Sequence, residues 1–540
     1  MRTRRTKALT TSVAVSAALA AAATSVPAVA APSESAARPK DSVAKVVKAV
    51  TLPGVMDHLE AFQRIANKHG DRAAGRTGYR KSVNYVVRQL ERAGYRPTVQ
   101  RFPFQYEEDN SALERVSPQP TEYDPDQDFV RNAFTPTFEG EASGPLDAVD
   151  LVVPMPPDAE PSTSNSGCEE ADFADFEPGS VALMQRGTCD FAVKALNAQE
   201  AGAAAAVIMN EGQPGRDGIQ GMSGETPGLA IPVVAATYAV GVDLSSTPGA
   251  EVRVDVDFDQ ERRATWNVVA ETRKGDRDNI VMAGAHLDSV QDGAGINDNG
   301  SGSAALLETA VQMAKVKPAN RVRFAWWGAE ESGLLGSEHY VGSLNERKLE
   351  RIALYLNFDM VASPNYTFGI YDGDNSSETA PAGFIPKGSA RIERVFERFY
   401  ESRRLKYEDS EFSGRSDYGP FIEVGIPAGG LFTGAEGVKT AREARRHGGL
   451  AGEAYDPCYH APCDNLTGKG QDRKLYRQLK KDYRLVGNVN TKALRINADA
   501  IATVVMRFAR DTSRVGGTVK ASGTTHRSQK LVHGLEVAGR

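Results

Sequence analysis

Residues 321–344 read RVRFAWWGAEESGLLGSEHYVGSL, an apolar run that stops at Gly328 and gives way to two adjacent glutamates, Glu330 and Glu331. RVRFAWW has the length and aromatic content of a buried strand, and SGLLGSEHYVGSL has the spacing of a helix. Two like charges at the end of a strand repel, and each raises the other's pKa unless a cation lies between them. A solvated surface pair is the ordinary explanation of such a Glu-Glu, so the neighbouring segments decide the matter.

They repeat the same pattern. NIVMAGAH is a strand followed by the helix SGSAALLETAVQMAKV, and IALYLNFDM is a strand followed by the helix RIERVFERFYESR. A late helix, TKALRINADAIATVVMRFAR, closes the series. This alternation predicts an α/β fold, a β-sheet with helices on its faces and its site at the carboxyl ends of the strands. Chemistry-bearing residues gather at those ends. His286 and Asp288 end the first strand, Asp298 lies in the glycine-rich GINDNGSG, Glu330 and Glu331 follow the second, and Asp359 follows the third. His460 sits in CYHAPCDN. Imidazole and carboxylate without thiolate favour zinc, whereas calcium would want a cage of oxygens. Two histidines with a surplus of carboxylates suit two ions about 3.5–4 Å apart.

The flanking sequence bounds the rest. At 540 residues two or three domains are expected. Residues 1–30 carry Arg2, Arg4, Arg5 and Lys7, an Ala/Val-rich stretch and Ala28-Val29-Ala30, which reads as a secretory signal peptide. Its removal takes the formal charge from −6 to −10. An acidic chain without a long basic run argues against nucleic acid as a partner, and no other stretch approaches a membrane span. The mature protein is therefore expected to be secreted and free of the membrane. Residues 31–42 read as a flexible or propeptide segment, and 513–540 as a polar tail. Four cysteines in an exported chain suggest two disulfides with three possible connectivities, and the local pairs Cys168–Cys189 and Cys458–Cys463 are preferred. Helical patterns over 45–105 precede an acidic, Pro-rich stretch, 107–145, that reads as a boundary. Short apolar runs alternate with Gly/Pro turns over 146–257, as in a small α/β module.

AHLDSV, GINDNGSG, WGAEESGLLGS, NFDM, GRSDYGPF and CYHAPCDN, taken together and in this order, resemble the di-zinc aminopeptidases of clan MH, in particular the secreted leucine-aminopeptidase type of actinomycetes. The 146–257 module, with RGTCDFAVKALNAQEAGA, resembles an inserted protease-associated domain. The resemblance implies a mixed β-sheet sandwiched by helices in a catalytic domain from 43–110 and 260–512, with the protease-associated domain at 135–257. It implies that His286 and Asp359 hold one zinc, Glu331 and His460 the other, and that Asp298 bridges both with a water. Asp288 would fix the tautomer of His286, Glu330 would be the general base, and Tyr459 would donate to the tetrahedral intermediate. Arg415 would shape the α-amino end of the site. Met360 and Phe432 would line an apolar pocket, or simply be core residues. The implied activity is release of N-terminal, apolar residues from peptides with a free N-terminus, by a monomer. The alternatives are a carboxypeptidase or glutaminyl cyclase of the same clan, or a non-catalytic, peptidase-like binding ectodomain. His339, His447 and Glu338 fit no ligand slot and read as surface or packing residues.

Overall fold

The computed structural model describes residues 42–515, apart from 126, 132, 157–158 and 214–215. Residues 1–30, read from the sequence as a signal peptide, nearly all of the 31–42 segment and the tail beyond 515 lie outside the described residues.

Two eight-stranded sheets organise the chain. The strands of the first are numbered here β1 (Thr98–Asp109), β2 (Phe258–Glu271), β3 (Asp276–His286), β4 (Asn320–Trp327), β5 (Ile352–Phe358), β6 (Gly369–Tyr371), β7 (Glu408–Ser410) and β8 (Ala428–Phe432). Their order is β1-β2-β4-β3-β5-β8-β6-β7. The central four, β4, β3, β5 and β8, are mutually parallel, so their carboxyl ends reach one edge together. His286 lies opposite Trp327, and Phe358 opposite Leu431.

The near-continuous apolar sequence of these strands follows from burial on both faces. Val281, Ala283 and Ala285 of β3 point into one core, with Phe324 and Trp326 of β4. That core is closed by the helices Leu52–His69, Thr77–Ala93, Gly302–Met313, Ser389–Ser402 and Thr491–Phe508. Met282, Ala325 and Trp327 alternate to the other face, where Tyr340, Tyr355, Phe421 and Ile422 meet them. Each fully buried Val or Leu is worth about 1.5–3 kcal/mol relative to exposure, which makes the register of the central strands hard to slip.

β1 and β2 pair from Thr98↔Val269 to Asp109↔Phe258, whereas β2 meets β4 only over Val268–Glu271. The outer part is therefore a two-stranded ribbon that leads out of the first sheet into the second. The second sheet runs in the order Thr121–Glu122, Ala112–Ser117, Glu251–Val256, Gly140–Ala148, Val181–Gln185, Ala205–Met209, Val233–Ala236 and Phe129–Arg131. It has cores of its own on both faces, capped by the helices Phe191–Glu200 and Tyr238–Ser245. The acidic, Pro-rich stretch read as a boundary thus supplies strands. Thr121–Glu122 and Phe129–Arg131 are edge strands, where proline and charge are tolerated, and that disguises them in the sequence. The disulfides are Cys168–Cys189 and Cys458–Cys463. At the other end Val515, assigned by sequence to the polar tail, is 3 % exposed and packs on the first core.

Candidate active site

The carboxyl edge of the central strands gathers the sequence-predicted residues. β3 ends on His286, which is 1 % exposed, and its carbonyl accepts from the Ser303 hydroxyl at the start of the Gly302–Met313 helix. β4 ends at Trp327, and a tight turn, with Gly333 N–H donating to Glu330 O at 2.8 Å, holds Glu330 and Glu331 at the strand end. The same turn brings the chain into the helix Leu335–Gly342. Asp359 follows β5, and Ser416 donates to its Oδ2 at 2.6 Å. Asp298 lies in the turn Ile296–Ser301, where the glycines of GINDNGSG have a steric purpose. A Cβ on Gly302 would run into the carbonyl oxygen of Phe358.

Asp298 sits at the centre. Its Oδ1 is 3.2 Å from His286 Nε2, which is also 3.3 Å from Asp359 Oδ1. Its Oδ2 is 3.5 Å from His460 Nε2, which is 3.0 Å from Glu331 Oε2. Each oxygen of one carboxylate thus faces a different histidine-carboxylate pair. His286, Asp298 and Asp359 form one group with metal-ligand spacing, and Asp298, Glu331 and His460 another. Glu330 approaches His286 Nε2 at 3.9 Å. Asp288, fully buried, lies behind His286 with its Oδ1 3.7 Å from Nδ1, and its two oxygens accept the N–H groups of Glu330 and Glu331, each at 3.4 Å.

The electrostatics are those of a buried anionic cluster. Burial pushes the Glu330 carboxyl well above the usual range; His286 opposes this, and Glu331 and Asp359 add to it. Burial likewise raises Glu331, with Asp298 adding and His460 opposing. For His286 burial disfavours the cation, but Glu330 and Asp359 outweigh it and raise the imidazole well above its ordinary value. His460 is pushed up to about 11, burial again opposing and Glu331 and Asp298 prevailing. Asp298 is held below the usual carboxylate range, because hydrogen bonds to both histidines overcome its burial. An imidazole ligates a metal only in its neutral form, so a cation bound here would stand in place of these protons. The donor set fits a metal cation: Glu331 Oε1 is buried with no hydrogen-bond partner, and the ligand types are nitrogen and oxygen.

Residues 267–476 match the model of peptidase family M28, and 148–244 that of the PA domain. The chain is 43% identical to an aminopeptidase of Pseudomonas aeruginosa over 509 residues, 92% of this chain and 89% of the relative. The chain belongs to peptidase family M28. Leucine aminopeptidase 2 of Trichophyton tonsurans is 37% identical over 470 residues, 85% of each chain. This M28 chain is accordingly an enzyme, a hydrolase of the aminopeptidase class, and it carries a PA domain. An aminopeptidase from Aneurinibacillus sp. strain AM-1 shares its fold, with a TM-score of 0.56, 24% identity, and coverage of 88% of this chain and 98% of that one. A zinc aminopeptidase from Bacillus subtilis does so with a TM-score of 0.54 and 22% identity, covering 89% of this chain and 99% of that one.

Other expected residues of the M28 chain lie around this centre in different ways. Tyr459 stacks on the His460 ring, with centroids 3.9 Å apart, and Cys458–Cys463 closes the loop that carries both. Burial, with Asp298 and Glu331 nearby, raises the Tyr459 phenol well above its usual value. Arg415 lies at the exposed rim, paired with Glu436 at 2.8 Å. Met360 is 2 % exposed, and Phe432 packs parallel to Tyr371 with centroids 6.5 Å apart. Neither borders the small cavity at the cluster, whose walls are Val290, Gly295, Asp298, Glu331, His460, Ala461 and Asp464. His339 stacks on Phe102 and His447 pairs with Glu408, so both have packing partners away from the cluster.

Sequence reasoning missed two groups. Arg72, fully buried, donates to the carbonyls of Leu287, Ala294 (2.7 Å) and Gly295 (2.5 Å), and so clamps the loop between His286 and Asp298. Asp464 accepts the N–H groups of Asn297 (2.9 Å) and Asp298 (3.0 Å), while Asn488 bridges Asp464 to Asp456. An Asp four residues after His460 was in view in CYHAPCDN, but nothing marked its partner.

Proposed function

We propose that the protein is a secreted di-zinc aminopeptidase that removes N-terminal, preferentially apolar residues from peptides, with Glu330 as general base. The observation that carries this reading is the division of the Asp298 carboxylate between the His286–Asp359 and His460–Glu331 pairs. His286 and Asp359 would hold one ion, His460 and Glu331 the other, and Asp298 both. Zinc bound there supplies Lewis acidity toward the scissile carbonyl and lowers the pKa of water.

The protein's own groups account for the rest. Glu330 stands in a third group with His286 and Glu331 but in neither that shares Asp298, and on this reading its carboxylate takes the proton from the attacking water and returns it to the leaving amine. Asp288 orients the His286 ring and, through the two backbone N–H groups, sets the positions of Glu330 and Glu331. Tyr459 would place its hydroxyl against the oxygen where charge develops. Carboxylates at Glu330 and Asp359 could accept from an α-ammonium, which would select unblocked peptides. Arg415 would border that end of the site, and Met360 and Phe432 would act through packing behind the apolar pocket. The signal-like residues 1–30 and the two disulfides support export to an oxidising compartment. Among the described residues no helix is long and apolar enough to cross a membrane. We take the active form to be a monomer acting on peptides.

The test is hydrolysis of leucine p-nitroanilide against its N-acetyl counterpart by the mature protein, with metal counted per chain. Cleavage of the free amine alone with about two zinc ions bound supports the reading. Equal cleavage of both substrates removes the proposed α-ammonium recognition, and one ion per chain removes the shared role of Asp298.

A further inference from the structure

A cavity of about 390 Å³ lies away from the carboxylate cluster and is lined by none of its residues. It lies between the helix Ser389–Ser402 and the end of the helix Thr491–Phe508, with Val43 of the first helix at its side. Arg391, Arg394 and Arg398 fall three and four residues apart and form one stripe on the first wall. Arg507, Arg510 and Arg514 repeat that spacing on the second. Val43, Val395, Phe508 and Val515 supply an apolar lining, and Asp511 is the sole acid among the lining residues.

Six cations facing one acid stand out in a chain whose formal charge is −6. Arg394 pairs with Glu397 at 2.6 Å, and Asp511 lies near Arg514. Arg391, Arg398 and Arg507 are exposed and make no ion pair among the described residues. Crowding like charges costs free energy, which an anion relieves. All six are arginine, whose planar fork matches an oxyanion in two-point contact. The chain's own ends are poor occupants on charge. Residues 516–540 hold Lys520, Arg527, Lys530 and Arg540 against Glu536, and residues 31–41 balance Arg38 and Lys40 against Glu34 and Asp41, so neither end carries a net negative charge to the trough. A concave trough also suits a compact ligand better than a flat lipid surface, and its volume is in the range of small-molecule sites.

We propose that this trough is a second binding site, for a compact ligand bearing two or more phosphate or sulfate groups on a body with an apolar face. Such groups come either on a soluble small molecule or repeated along a polymer. Calorimetric titration of the mature protein with inositol hexakisphosphate, with a heparin hexasaccharide and with inorganic sulfate at matched ionic strength separates the two. Binding of either organic probe at least about tenfold tighter than sulfate is expected, and the probe preferred names the source. The variant Arg398→Gln/Arg507→Gln/Arg514→Gln should lose about tenfold or more in that affinity, and Asp511→Asn should gain several-fold. Both should hydrolyse leucine p-nitroanilide at the wild-type rate, which shows that they fold. Probes no tighter than sulfate, or an affinity indifferent to the triple substitution, would overturn the proposal. So would binding to phosphatidylglycerol vesicles with neither soluble probe bound, since that would make the patch a membrane surface.

Discussion

Glu330 and Glu331 leave one strand end a single residue apart, and Asp288 accepts the backbone N–H of each. Their side chains then part, Glu331 toward His460 at 3.0 Å and Glu330 toward His286 at 3.9 Å. Under the proposed mechanism the two have separable losses. Glu330→Gln should lower kcat by about 10²–10⁴-fold with the metal content unchanged, whereas Glu331→Gln should lose metal as well, both measured by steady-state kinetics beside elemental analysis. Tyr459→Phe should reduce kcat by about 10²–10³-fold with little change in KM. Glu330 and Glu331 were visible in the sequence because they follow an apolar run, whereas Tyr459 was singled out only by the resemblance. Met360 was not resolvable in that way, since a buried methionine after a strand has the same signature whether it lines a pocket or fills a core.

At the scale of elements, the loop from Leu287 to Gly295 keeps His286 and Asp298 in place, and Arg72 holds it from a segment more than 200 residues earlier. Arg72→Lys keeps a charge but loses the fork that reaches three carbonyls. It should weaken metal retention by about 10–100-fold, read by dialysis against a chelator. GDRAAGR reads as an ordinary polar turn, so no local pattern could have singled out Arg72. On the Ser389–Ser402 helix, Glu393 is 4 % exposed, and burial, with Asp374 and Asp372 adding, raises its carboxyl to about 8. Between about pH 4.5 and 8 the unfolded chain has lost this proton while the folded chain keeps it, so stability falls as pH rises through that window. Glu393→Gln mimics the protonated form and should flatten the fall, raising Tm at pH 8 by about 1–3 °C with little change at pH 4.5. Thermal scans at the two pH values check it.

The whole molecule is a catalytic α/β unit with a second domain inserted through a β-ribbon. Asp109 and Phe258, where the chain leaves and returns, lie opposite each other in register. The two cores of the second sheet share no residue with the first. Replacing residues 110–257 by Asn-Gly should therefore close a hairpin and leave a folded unit. It should hydrolyse leucine p-nitroanilide at a rate within about tenfold of the parent, with a single cooperative unfolding transition. A chain that precipitates or loses its metal would mean that the inserted domain supports the site.

Sequence alone determined the α/β alternation, the strand-end placement of His286, Glu330, Glu331 and Asp359, and the place of Asp298 in a glycine-rich loop before a helix, because hydrophobic period and strand length are local properties. It also placed an inserted module, since Gly/Pro turns punctuate its short apolar runs. Tertiary structure decided that Asp298 turns one oxygen to each histidine, that Arg72 and Asp464 brace the loops around it, and that the 112–131 stretch supplies strands of the second sheet. Those features depend on contacts between distant segments, and a contact becomes definite only when burial fixes both partners in one low-dielectric place.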